Sequence, residues 1–181
     1  GKLEAIHENS MEFPSDRREV EGGFLIPNVT ILAAGVWNGT KYDALELAKG
    51  ANKWRSNAIW NRHYEGKSRD ESNQIGLLKN QRFDDYRVAA DVFLSNSTPE
   101  GRDMIALVKE YKINGISVEH VDITVNGEAT NIEFLGAAIV PKPACTICQL
   151  SKEEKLMEDK EFKELQGTVA ELAKSVKELT E

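Results

Sequence analysis

The chain has 181 residues and a mass of 20.2 kDa, the size of one ordinary domain with room for an appendage. Hydrophobic residues make up 40% of it, enough to bury a core, while Lys and Arg total 23 against 30 Asp and Glu. The net charge of -7 argues against a nucleic-acid binder, which needs a basic face to displace counterions from phosphates. No apolar run approaches the ~20 residues of a membrane span, no charged-then-apolar leader opens the chain, and two cysteines cannot make a disulfide scaffold. The class expected from composition is a soluble, intracellular, single globular domain.

Taken in chain order, residues 1–20 form an N-terminal extension in which His7, among Glu4, Glu8 and Asn9, has no specific task. Phe24 to Trp37, rich in branched residues and interrupted by Pro27, predicts one or two strands. Thr40 to Asp43 has the spacing of a capping box and opens a helix running through Ala44 toward Trp54. A short strand follows from Asn57 to His63, then an exposed charged loop from Glu65 to Asn73. Ile75–Leu78 and Tyr86–Leu94 are strands around a turn at Asp84-Asp85. Thr98-Pro99-Glu100 is a helix start, a hydroxyl cap followed by proline, and Asn114-Gly115 ends that helix. Ile116–Val125 and Ile132–Val140 are strands joined by Asn126-Gly127, a dipeptide suited to a tight hairpin.

Composition changes near Pro143. Between Ser151 and Glu181 there is no proline, and 6 Lys meet 9 acidic residues. Leu165, Val169, Leu172, Val176 and Leu179 alternate spacings of four and three, the a and d positions of a heptad, and Phe162 extends the stripe by one step. So short a helix is marginal alone, because nucleation is costly. Its stripe needs a cover, either the body of the domain or another copy of the chain.

Chemistry-bearing residues are sparse. His63 ends a strand beside a loop, where an imidazole can serve as general base or simply sit half-exposed. Ser117 opens the strand after the helix stop, and strand alternation puts Glu119 on its face and His120 on the other. A serine nucleophile needs a histidine within hydrogen-bond reach and a group that orients it. Spacing alone leaves a serine hydrolase, a structural protein and an oligomeric binding module all open.

The segments Asn57-Ala-Ile-Trp-Asn-Arg-His63, Gln74-Ile-Gly76, Gly115-Ile-Ser-Val-Glu119 and Leu135 through Ala144 add an order to these residues. That series resembles the prohead maturation proteases of tailed phages, distant relatives of herpesvirus assemblin. The resemblance covers about residues 20 to 148 and implies a domain at 21–148 followed by a helical, scaffold-like segment at 149–181. It implies a mainly β fold with flanking helices (α+β), a barrel or strongly bent sheet of six or seven strands. Ser117 would be the nucleophile and His63 the base. The position matching the family's third catalytic residue is Gly136, which has no side chain. Glu119, on the face of Ser117, is the preferred substitute; Glu133 and His120 are alternatives that a regular strand aims away.

The function so implied is a serine endopeptidase of capsid maturation, working inside the assembling prohead in the host cytoplasm without a cofactor. Its substrates would be scaffold segments, precursor coat protein and its own tail, and residues 156–179 would make it a homo-oligomer. The alternative is an inactive assembly protein of the same fold. Lys142, in the turn after the last strand, is a candidate cation for the oxyanion and more often a solvated turn residue. The Cys145-Thr-Ile-Cys148 pair lacks a second pair or a histidine to complete a zinc site, so two reduced thiols at a domain edge are expected. The sequons at Asn28, Asn38 and Asn96 carry no meaning without a secretory leader, and Asp84, Asp85 and Asp91 read as a turn and a strand surface.

Overall fold

The computed structural model describes residues 13–64, 68–152 and 154–180, with side chains in the last segment from 164 onward. His7 therefore lies outside the described residues, as do residues 65–67, the first three of the loop after His63. The described residues separate after Ser151 into two compact units, a β-rich domain and a single helix.

The domain is built in the order β1 (Arg18–Val20), β2 (Gly23–Ala33), β3 (Gly35–Trp37), β4 (Thr40–Tyr42), α1 (Ala44–Gly50), β5 (Ala58–Trp60), β6 (Gln74–Asp84), β7 (Arg87–Ser95), α2 (Pro99–Lys109), β8 (Gly115–Val125) and β9 (Glu128–Val140). The second unit is α3 (Glu154–Thr180). The nine strands form one mixed sheet in the order β1-β2-β7-β6-β5-β9-β4-β3, with β8 on the other edge of β9. The path is open, ending at β1 and β3, and has more strands than the six or seven of the barrel or strongly bent sheet expected. β1 also shows that the stretch up to residue 20 is not all extension, since Arg18 to Val20 pairs with Gly23 to Leu25.

Local chemistry explains most boundaries. Asp43, not Thr40, caps α1 by accepting from the Leu45 amide, which frees Thr40 to Tyr42 to pair with β3. Thr98 caps α2 and Pro99 takes its first position, as the motif predicts. That helix stops earlier than expected, at Lys109, because Tyr111 adopts the left-handed conformation at φ 59°. Asn126 and Gly127 both have positive φ, the backbone of a two-residue hairpin turn, and join β8 to β9.

The core lies on one face of the curved sheet under α1 and α2. Ile26, Ile59, Ile75, Leu78, Val92, Leu94, Ile116 and Phe134 are fully buried. Trp54 stacks on Phe134 at 4.6 Å between ring centres. Arg87 is buried too, its guanidinium bonded to Thr30 Oγ1 at 2.9 Å and Asn28 Oδ1 at 2.6 Å, and paired with Asp84.

One irregularity matters for the site. β8 has 11 residues and β9 has 13, and the ladder between them slips twice. Glu119 faces Gly136 and His120 faces Phe134, so Leu135 is an extra residue; a second slip falls between Val121 and Ile123. Each bulge reverses inside and outside along β9. Phe134, Ile132 and Ala129 thereby all stay in the core.

Candidate functional site

Ser117, Ala138 and Trp60 lie side by side across β8, β9 and β5. Strands are about 4.8 Å apart, so Ser117 and Trp60 are roughly 10 Å apart at Cα, on the same face of the sheet. Ala58, Gly136 and Glu119 form the next row on that face. His63 follows Trp60 by three residues and is partly buried. Among the described residues, neither the Ser117 hydroxyl nor the His63 imidazole makes a hydrogen bond, so nothing joins the two.

Glu119 is on the face of Ser117, as alternation requires, yet its carboxylate belongs to Arg69. Arg69 Nη1 donates to Glu119 Oε1 at 2.5 Å and to the Arg62 carbonyl at 3.3 Å. Its guanidinium lies 4.2 Å from the Trp60 ring centre, a cation over an aromatic face. Both partners of the ion pair are largely buried, at 14% and 15% exposure, which strengthens their attraction. Arg69 was not anticipated, and nothing local sets it apart from the other charges of its loop.

The two alternatives are placed elsewhere. The bulge at Leu135 turns Glu133 toward the face of Ser117, opposite Val121, and not away from it as a regular strand would. There it is held by Arg55 through two hydrogen bonds of 2.6 and 2.9 Å, which hold its carboxyl below the usual range. His120 is on the opposite face, as expected, with Nε2 2.9 Å from Asp122 Oδ2 and 3.2 Å from the Tyr42 hydroxyl. Burial, and to a lesser degree Asp122, pushes the Tyr42 hydroxyl above its ordinary value. Gly136 cannot regain a side chain in place: its φ is +117°, and a Cβ would stand 2.7 Å from the Ala58 carbonyl oxygen. Lys142 is an exposed turn residue.

β8 is an edge strand. The Ile116 amide points outward and donates to the Cys148 carbonyl at 3.0 Å, and Leu150 donates to Asn114 at 2.8 Å. By strand alternation the N–H and C=O of Val118 and His120 face outward as well, and no strand beyond β9 pairs with β8 among the described residues. They open on a cavity of about 170 Å³ lined by Leu32, Trp37, Tyr42, Ser117, His120 and Cys145, among others. Farther along, Val121, Ile123 and Val125 continue the face of Ser117 as exposed apolar residues.

The cysteines expected as free thiols form a disulfide. A tight turn, with the Cys148 amide donating to Cys145 at 3.0 Å, brings their Cα atoms to 5.4 Å, inside the range a disulfide spans. The turn docks on the start of β8. Asp84 pairs with Arg87, while Asp91 lies 3.7 Å from Arg82 and accepts from the Asn28 amide, so these acids serve structure. Among the described residues no group of three or more His, Cys, Asp or Glu could hold a metal ion, and no helix is long and apolar enough to cross a membrane. Searches against protein-family models, curated proteins and solved structures find no match to this chain.

Proposed function

We propose that the protein is a serine endopeptidase of phage capsid maturation, with Ser117 as nucleophile and His63 as general base. The observation that carries the reading is the placement of Ser117 on the outward edge of β8. An extended polypeptide can add to that edge through the outward groups of Val118 and His120, which lays a peptide bond across the serine. Support comes also from the row that sets Trp60, three residues before His63, level with Ser117.

In this mechanism Ser117 Oγ attacks the scissile carbonyl carbon while His63 takes the hydroxyl proton. The tetrahedral adduct collapses, His63 returns the proton to the leaving amine, and an ester joins the substrate to Ser117. Water, activated by the same imidazole, then hydrolyses the ester and frees the serine. Catalytic hydrogen bonds of this kind are often loose until substrate binds, so the unjoined pair is compatible with the role. Glu119, engaged by Arg69, supports the site by holding that guanidinium over Trp60, and the working unit is a serine-histidine dyad. Substrates are scaffold segments and precursor coat protein within the prohead, and the assemblin-like reading of the fold goes with this function.

The test compares wild type with Ser117→Ala and His63→Ala on a long helical scaffold-like polypeptide, followed by intact mass. Loss of cutting by at least about a thousandfold in both variants, with fluorophosphonate labelling of wild type alone, is the expected result. A second reading, an assembly protein of the same fold without catalysis, is favoured by the engagement of Glu119 and the blocked position at Gly136. It takes over if folded wild type neither labels nor cuts.

A further inference from the structure

The stripe on α3 is open along its length: Leu165, Val169, Leu172 and Val176 are 57–61% exposed and Leu179 86%. The spacing fixes the heptad frame, with Val169 and Val176 at a, and Leu165, Leu172 and Leu179 at d. From Leu165 onward the flanking e and g positions are then Gln166, Thr168, Ala173, Ser175 and Thr180, none of them charged. Glu164, Glu171 and Glu178 fall at c, Lys177 at b, and Lys174 at f, all pointing from the seam. Gly167 also falls at f, where its missing side chain costs the seam nothing.

We propose that α3 is one half of a parallel, in-register, two-stranded coiled coil formed with a second copy of this chain. Branched residues at a with leucine at d favour two parallel strands, in which a meets a and d meets d. In an antiparallel pair a would meet d, and the segregation of Val from Leu would have no purpose. The neutral flanks identify the partner. Charged e and g positions choose among partners by attraction and repulsion, and a seam without them offers a charged stranger nothing to read. Two identical copies meet there without like-charge repulsion. The seam is short, so association is weak and concentration-dependent. This does not depend on the catalytic reading.

The experiment uses the full chain carrying Ser117→Ala, which removes any self-cutting. Sedimentation equilibrium from micromolar to millimolar protein is expected to show reversible doubling of mass, and Leu172→Asp is expected to abolish it. Under mild oxidation Leu172→Cys gives covalent dimers, whereas Lys174→Cys, on the outer face, gives at least about tenfold fewer. Monomer at every concentration overturns the proposal, as does a trimer or larger assembly. Preferential cross-linking of Leu165→Cys chains to Val176→Cys chains in a mixture, over self-linking of either, shows antiparallel strands and overturns it too.

Discussion

Leu78 and Leu172 are the same residue in two regions that solve burial differently. Leu78, on β6, is fully buried, while Leu172, on α3, is 61% exposed. The domain covers its apolar side chains with its own chain, so its stability is internal. The helix carries an equally regular apolar pattern whose cover lies outside it, and its stability depends on what it meets. Trp37, Trp54 and Trp60 all lie in the domain, so tryptophan fluorescence follows that region while the helix contributes only to circular dichroism.

The largest effect should come from Phe134→Ala. The side chain is fully buried against Trp54, and its removal should cost about 3–5 kcal/mol in urea unfolding read by fluorescence. A loss below about 1 kcal/mol would mean the two bulges do not aim Phe134 inward. Gly136→Ala should come next, at about 2 kcal/mol or more, because the new methyl meets the Ala58 carbonyl at an unfavourable φ. A neutral outcome would show that β9 can relax and would reopen that position to a third catalytic group.

A smaller effect separates the regions by pH. Tyr42 has its folded value raised above the ordinary 10.0 by burial. Below that pH both states keep the proton and the stabilisation is complete. As pH rises toward the folded value the unfolded chain ionises first, and domain stability falls. Tyr42→Phe should flatten this part of the urea-midpoint profile relative to wild type; unchanged slopes would place the titration on another group. Smallest is Leu172→Ala, expected within ±0.5 kcal/mol for the domain, whereas Leu78→Ala should cost about 2–5. Equal costs would erase the distinction between the two regions.

Much of the fold was legible wherever one residue type has one local job. Thr98-Pro99 starts α2, Asn126-Gly127 turns β8 into β9, and the four-three spacing reads as α3. Sequence reasoning went astray where two local rules competed or a distant partner decided. Thr40 can open a capping box, but pairing with β3 claims it and Asp43 caps instead. Glu133 was assigned to the wrong face because parity assumes an unbroken ladder. The available hints were Gly136 and Asn131, at φ +117° and 51°, residue types that tolerate such backbone. For the candidate site, the shared face of Ser117 and Glu119 could be read from alternation. The capture of Glu119 by Arg69, fifty residues earlier, could not, because no periodicity links them.

The two extra residues of β9 give the β8–β9 ribbon slack. A strand matched one to one with its partner cannot change length without exchanging inside for outside, whereas a bulged strand can surrender the bulge. Removal of Leu135 would leave Glu133, Phe134 and Ile132 facing as they do now and would mainly straighten the ribbon. The face that displays Ser117 thus keeps its alternation whether or not the bulge at Leu135 is present.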